Sequence, residues 1–363
     1  MSEPKQPDVK PRVTHVARPD VDLVKHHYSR RAVWGTDSVL YRKTHPMEFS
    51  TVEGNYHNWE IDTSDLVPTD AHSPSGEPAR LFYSDDVTVW VSRRRESMSY
   101  FVRNCDADEL HLVSQGQMRY ETDFGDIELN ERDFLLIPKG ITYRVVLDRP
   151  QDTLRAIYES GPEIFFIPAE MVEHLYHKGR PAISPDRLTR PALRTAPGPA
   201  GEYDVRVKYS GAFSEMLGDT TTLHYERYPL DTEIIDGEQP VVKFSVTDIE
   251  KLGSTPVPFV GAAYLDNKTR LAWTLHLSGG GFTAPVHRNV DVDELRWQGS
   301  GPSVGRFQYT PQGVDHGYGR GFTKRERNRQ DSPSDVGDVI SAYTVRPLKG
   351  TALAYEHARN AEF

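Results

Sequence analysis

The chain has 363 residues, a formal net charge of -10 at pH 7 and a pI near 5.8. At roughly 100–200 residues per domain, this length predicts two domains and a substantial core. The acidic balance argues against nucleic acid or an anionic membrane as the main partner, because both need a basic surface, and it favours a small-molecule ligand.

The single cysteine, Cys105, excludes an internal disulfide framework. The first residues are too polar to form the apolar region of a signal peptide. No stretch approaches the ~20 apolar residues of a membrane-spanning helix. The sequence therefore predicts a cytoplasmic protein that has no membrane segment.

The N-terminal half begins with a polar stretch, residues 1–30, that is rich in proline and basic residues and predicts an extended arm. Short runs of alternating apolar and polar residues follow, separated by turn residues, which is typical of an all-β barrel or sandwich. Residues 171–179 predict a short helix. The alternating runs are 86–92, 99–104, 109–114, 117–124, 133–138 and 142–147.

Prolines dominate the next segment, residues 179–203, and oppose both helix and central strand. This segment predicts a linker, after which the strand pattern resumes. The later runs are 241–246, 259–265, 270–277, 305–311, 339–345 and 351–357.

One short pattern occurs twice, Arg-Asn-x-Asp-x-Asp-Glu-Leu at 103–110 and at 288–295. The repeat predicts an internal duplication of a β-barrel. The expected division is an arm and bracing segment (1–60), an N-terminal barrel (61–178), a linker (179–203) and a C-terminal barrel (204–363).

The second copy carries residues suited to metal binding. The spacing resembles the two signature motifs of the cupin superfamily, in which histidines and a glutamate converge on a divalent metal inside a small barrel. Asn289 stands where the second histidine of the motif is expected. The spaced residues are Gly281, His287, Asn289, Glu294 and Gly301, then Gly305, Pro311, Gly313 and His316.

Two imidazoles and one carboxylate suit divalent iron and leave positions open for substrate and dioxygen. We predict that His287, Glu294 and His316 bind the metal, with Asp293 as an alternative carboxylate. Asn289 is expected to hydrogen-bond beside the ligands. The equivalent positions of the first copy lack both imidazoles and predict a barrel without metal; they are Val102, Asn104, Glu109 and Tyr143.

Two further residues are candidates for catalysis. His276 belongs to a strand predicted to line the metal barrel, where it would act as a base or hydrogen-bond group, or else as a core histidine. Tyr309 precedes His316 and is a candidate for the cavity wall, with core packing as the alternative.

A closer resemblance covers most of the chain. SVLYRKTHPMEFSTVEGNYHNWE (38–60) resembles the N-terminal signature of homogentisate 1,2-dioxygenases, and segments 104–145, 240–252 and 285–290 continue the match in the same order. The resemblance implies a bicupin fold, two double-stranded β-helix barrels with a few short helices. It also implies Fe(II) on the three predicted ligands, cleavage of an aromatic ring by O2, and trimers or hexamers.

The chain departs from that family in three places. Only three residues separate Gly301 from Gly305, so the hairpin that joins the two motifs in the family is mostly missing. Residues 253–260 contain no histidine, whereas the family has one in this stretch. Glu294 lies one residue farther from His287 than the family's glutamate lies from its histidine. The prediction is a dioxygenase that acts on homogentisate or a similar hydroquinone-type acid. The alternatives are a bicupin metalloenzyme for another phenol or a non-aromatic acid, and a non-enzymatic bicupin that binds a small ligand.

Overall fold

The computed structural model describes residues 23–31, 34–166, 183–248, 261–267, 272–278, 286–301, 303–317 and 338–360. Within these ranges most of the regular secondary structure is β-strand and only two short α-helices occur, so the predicted all-β class is confirmed. Neither α-helix among the described residues is long and apolar enough to cross a membrane. The helix predicted at 171–179 lies outside the described residues.

The strands are numbered in chain order. Those of the first half are β1 Val24–Arg31, β2 Trp34–Arg42, β3 Trp59–Asp62, β4 Ala79–Tyr83, β5 Val87–Ser92, β6 Phe101–Asn104, β7 Asp108–Gln115, β8 Met118–Thr122, β9 Gly125–Leu129, β10 Asp133–Ile137, β11 Thr142–Val146, β12 Leu154–Ser160 and β13 Ile164–Phe166.

Those of the second half are β14 Tyr203–Lys208, β15 Thr220–Tyr225, β16 Val242–Ser245, β17 Gly261–Asn267, β18 Ala272–Ser278, β19 His287–Asn289, β20 Asp293–Gln298, β21 Arg306–Thr310, β22 Asp315–His316, β23 Asp338–Thr344, β24 Lys349–Gly350 and β25 Ala358–Asn360. Helix α1 is Ser214–Leu217 and helix α2 is Ala352–Glu356.

Two sheets build the N-terminal barrel. A seven-stranded sheet has the order β16-β10-β7-β12-β5-β4-β24, and a six-stranded sheet has the order β15-β14-β6-β11-β8-β9. Apolar side chains of both sheets, including Val113, Tyr120 and Val145, form one buried cluster. Since strand side chains alternate between faces, Leu110 and Leu112 of β7 belong to a different cluster from Val113.

Two other sheets build the C-terminal barrel, an eight-stranded sheet in the order β13-β17-β18-β23-β20-β21-β3-β25 and a four-stranded sheet in the order β2-β1-β19-β22. A shared apolar cluster joins the two barrels, and its members include Leu112 of β7 and Trp297 of β20. Trp297 also donates its indole N–H to Ser114 Oγ (3.0 Å). The eight-stranded sheet therefore packs against the seven-stranded sheet.

The division into barrels does not follow the order of the sequence. Strands β14, β15, β16 and β24 come from the second half of the chain, yet they join the two sheets that contain β4 to β12. Strands β1, β2, β3 and β13 come from the first half and complete the C-terminal barrel. An alternating run specifies a strand but not its partner, because any open sheet edge offers the same backbone donors and acceptors.

Candidate metal centre

Three strands bring the candidate ligands together. His287 on β19 and His316 on β22 are antiparallel register partners in the four-stranded sheet, and Glu294 lies on β20 of the eight-stranded sheet. One potential ligand atom from each of the three residues lies within 4.8 Å of the others. Glu294 and His316 are buried, and His287 is half-buried. This grouping is the one predicted from the spacing.

A tight turn delivers His316. The Val314 N–H donates to the Pro311 carbonyl (3.1 Å), and the Gly313 N–H donates to the carbonyl of Asn289 on β19 (2.8 Å). Gly313 has a φ of +78°, and a Cβ there would stand 2.6 Å from the hydroxyl oxygen of Tyr56. Both constraints favour glycine at this position, which explains one residue of the motif.

Asp293, the alternative carboxylate, faces away from the imidazoles. It accepts hydrogen bonds from the Tyr309 hydroxyl (2.9 Å) and from the backbone N–H groups of Gln312 (2.9 Å) and Leu348 (2.7 Å). Adjacent strand residues point to opposite faces, so Glu294 is directed to the site and Asp293 is not. Asp293 instead anchors the loop that leads to His316.

The same contact fixes the place of Tyr309. Tyr309 is the register partner of Leu295, and Thr310 is the register partner of Glu294. The side chain of Tyr309 therefore projects from the face opposite to that of Glu294. Its ring packs beside Phe82, with ring centroids 5.6 Å apart. Burial and the Asp293 carboxylate raise the pKa of Tyr309, which keeps the hydroxyl a donor. The structure therefore gives Tyr309 an anchoring contact outside the ligand group.

The carboxylate of Glu294 is held on one side. Its Oε1 accepts from Arg296 Nε (2.6 Å) and from the Tyr343 hydroxyl (3.1 Å). Burial alone would raise the pKa of Glu294, but the Arg296 guanidinium and the neighbouring His316 and His287 rings lower it well below its usual range. An ionised carboxylate held at Oε1 presents Oε2 to the site.

Both ring nitrogens of His316 face oxygen acceptors. Nδ1 lies 3.0 Å from the Val314 carbonyl, and Nε2 lies 2.8 Å from Glu294 Oε2. A neutral imidazole carries one N–H, so it can satisfy one of these acceptors only. With the proton on Nδ1, a lone pair of Nε2 points at an ionised oxygen, and a cation bound by both atoms would turn this contact into an attraction.

Asn289 lies next to these residues on β19 and is 2% exposed. Its Oδ1 accepts from Ser29 Oγ on β1 (2.6 Å). Its Nδ2 is buried, and among the described residues it has no hydrogen-bond partner. Asn289 thus ties the N-terminal hairpin β1–β2 to the strand of His287.

A network of ion pairs and hydrogen bonds lies on the opposite face of the four-stranded sheet. Asp315, adjacent to His316, accepts two bonds from Arg288 (2.8 and 2.5 Å) and lies 2.9 Å from His26 Nε2. Arg42 Nε donates to His26 Nδ1 (2.8 Å), so His26 is a donor to Asp315 through Nε2. Asn58, part of the predicted bracing segment, donates to the Asp315 carbonyl (3.0 Å). These contacts hold β22 in place.

In the N-terminal barrel, neighbouring side chains donate hydrogen bonds to the equivalent buried carboxylate, Glu109. The Tyr143 hydroxyl (2.6 Å) and Asn104 Nδ2 (2.8 Å) donate to the Glu109 carboxylate, and His111 Nε2 lies 2.9 Å from it. The Tyr120 hydroxyl lies 2.9 Å from His111 Nδ1. A neutral His111 satisfies all of these contacts, so this cluster needs no cation. Val102, at the position equivalent to His287, adds no ligand atom.

The side chain of one sequence candidate, His276, lies outside the described residues. His276 is in β18, in register with Ala262 and Ile340, but only the backbone of this strand is described. Sequence reasoning also missed two residues, Arg296 and Tyr343. Arg296 is two residues after Glu294 on one strand, a spacing that signals a shared face, whereas Tyr343 has no local signal.

Parts of the chain are similar to known proteins. Residues 78–168 match the sequence model of the family Homogentisate 1,2-dioxygenase N-terminal. The "Putative dioxygenase" of Saccharolobus solfataricus is 25% identical over 248 residues, which are 62% of this chain and 58% of that protein. A homogentisate 1,2-dioxygenase of Pseudomonas entomophila is 31% identical over 81 residues, which are 22% of this chain and 17% of that protein.

The chain therefore spans less than two thirds of the length of these curated relatives. Among solved structures, protein Ylba from E. coli has a TM-score of 0.43 and 9% identity, and the match covers 82% of this chain and 95% of that chain. The resemblance seen in the sequence is thus supported over part of the chain, which is similar there to homogentisate 1,2-dioxygenases and to a dioxygenase relative.

Proposed function

We propose that the protein is an Fe(II)-dependent dioxygenase that opens the ring of a hydroquinone-type aromatic acid, homogentisate or a close analogue. The observation that carries the proposal is that His316 Nε2 lies 2.8 Å from Glu294 Oε2, so that one bound cation would be within reach of both atoms. His287 adds a second imidazole within 4.8 Å. This donor set suits Fe(II).

The protein's own residues would prepare such a site. Arg296 and Tyr343 hold Oε1 of the Glu294 carboxylate, which leaves Oε2 for the metal. The Val314 carbonyl fixes the His316 ring. Bound Fe(II) would supply a Lewis acid with positions for a phenolic oxygen and for O2.

Charge balance supports an anionic substrate. The negative charge of Glu294 and the positive charge of Arg296 offset each other at a 2.6 Å contact. The charge of a divalent ion is then left to be compensated by the ligand, which favours a phenol that also carries a carboxylate. Buried Asn289 Nδ2 offers a hydrogen bond to an oxygen of such a molecule.

The reaction balances with O2 as the sole oxidant. One C–C bond of the ring, next to a hydroxyl-bearing carbon, breaks, and both oxygen atoms enter the product. A homo-oligomer of three or six chains is part of the same proposal, because it rests on the same resemblance. Light scattering of the purified protein tests the oligomer.

The activity is tested by oxygen uptake of anaerobically purified, Fe(II)-loaded protein. Homogentisate, gentisate, hydroquinone and catechol are compared, and product masses are measured. Uptake with one hydroquinone and a product heavier by two oxygen atoms is expected. His287→Ala should lose iron and turnover and keep its circular dichroism spectrum; full activity in that variant would refute the assigned site.

One observation favours a second candidate, a bicupin metalloenzyme for another acid. The connection between Gly301 and Gly305 is only three residues long, and the Gly305 N–H closes a tight turn onto the Gln298 carbonyl (3.0 Å). This connection is shorter than in the family that the sequence resembles, so the pocket wall differs there. Stoichiometric iron without oxygen uptake on any phenol would select this candidate.

A further inference from the structure

A third histidine stands beside the candidate ligands. In the four-stranded sheet, His27 on β1 is the parallel register partner of His287 on β19, and His287 is the partner of His316 on β22. Register partners on neighbouring strands project from the same face of a sheet. The three imidazoles therefore form a row across β1, β19 and β22.

Two independent contacts identify the face of this row. Two residues after His27, Ser29 donates to Asn289, which is itself two residues after His287 (2.6 Å). The neighbours of the row, His26 and Arg288, instead bind the Asp315 carboxylate on the opposite face. His27 thus shares the inner face with His287 and His316.

The position of His27 is adjacent to the ligand group rather than inside it. The ligand atoms that converge within 4.8 Å come from His287, Glu294 and His316. Neighbouring strands are about 4.8 Å apart, so the backbone of His27 lies one strand spacing beyond His287. Its side chain is half-buried and its Nε2 atom is buried, so this end of the ring is not in contact with solvent.

We propose that His27 is a binding residue of the metal centre, which hydrogen-bonds an oxygen of the ligand held there. This inference rests on the proposed function for the presence of the metal. A neutral imidazole both donates and accepts, so it suits a phenolic hydroxyl or phenolate of the substrate. The N-terminal hairpin β1–β2 then forms a wall of the site as well as a brace.

The test separates binding from metal ligation. Co(II)-loaded protein is titrated anaerobically with azide, an anionic probe of the metal's open positions, and metal content is measured in parallel. His27→Ala should keep full metal stoichiometry and bind azide about three- to tenfold more weakly, the loss expected for one hydrogen bond. His27→Gln should recover most of that affinity, because its amide also donates and accepts.

Tyr28→Phe is the matched control, since Tyr28 is the next residue on the same strand and projects from the other face. Unchanged azide affinity in His27→Ala, no azide binding to the parent protein, or loss of metal as in His287→Ala would each overturn the inference. A His27-dependent azide affinity in a protein that oxidises no hydroquinone would keep the inference and remove the proposed activity.

Discussion

His316→Gln should change the stability of the protein in opposite directions with and without metal. When the His316 proton is on Nδ1 in the metal-free protein, Nε2 is an acceptor 2.8 Å from Glu294 Oε2, and an amide N–H of glutamine would donate to that oxygen instead. A hydrogen bond to a charged group contributes about 1.5–3 kcal/mol, and the lost bond to the Val314 carbonyl costs about 1 kcal/mol. We expect a net gain of roughly 1 kcal/mol.

Bound metal should make the parent protein more stable than His316→Gln. A metal at 100 times its dissociation constant stabilises the parent protein by about 2.7 kcal/mol, and the variant, with one ligand removed, by much less. At about 2 °C per kcal/mol for a chain of this size, metal-free His316→Gln should melt about 2 °C above the metal-free parent. Saturating metal should raise the melting temperature of the parent protein by about 5 °C.

Thermal unfolding at pH 8, in EDTA and in anaerobic Fe(II), measures both effects. His111→Gln is the matched control, because His111 in the N-terminal barrel is bonded at both nitrogens without needing a cation. It should destabilise the protein by the same amount in both buffers. The prediction is refuted if the metal-free parent is more stable than His316→Gln and metal raises both melting temperatures equally. His316 Nε2 would then not be an acceptor that faces Glu294 Oε2.

Three further predictions concern the N-terminal barrel and the barrel interface. Tyr143→Phe removes a 2.6 Å donor from buried Glu109 and should cost about 1.5–3 kcal/mol of unfolding free energy, independent of metal, in urea titrations. Burial lowers the pKa of His111 despite the Glu109 carboxylate, so unfolding takes up a proton below about pH 6.5. The unfolding free energy should therefore fall by up to about 1.4 kcal/mol per pH unit as pH drops below 6.5, and His111→Gln should show a smaller slope in urea titrations from pH 8 to 5.5. Ser114→Ala removes the partner of the buried Trp297 indole and should cost about 1–3 kcal/mol in the same assay, whereas an unchanged midpoint would mean that the indole bond contributes nothing to the interface.

The spacing of the two motifs made the candidate ligands predictable. His287, Glu294 and His316 were identified because their separations in the sequence resemble those of the cupin motifs, although the structure places them on three different strands. The turn at Gly313 also follows from the sequence, since a positive φ there favours glycine. The choice between Asp293 and Glu294 needed the structure, because both carboxylates occur on one strand and only the pairing with β21 and β23 orients them.

The sequence by itself determined the all-β class, the duplicated pattern and the spacing of the three candidate metal ligands, because each of these depends on residues close together in the chain. The tertiary structure alone decided that β14 to β16 complete the N-terminal barrel and that Tyr343 holds Glu294. It also decided that His27 stands beside His287. Strand partners far apart in the chain are selected by open edges and matching faces, and these exist only when the sheets have formed.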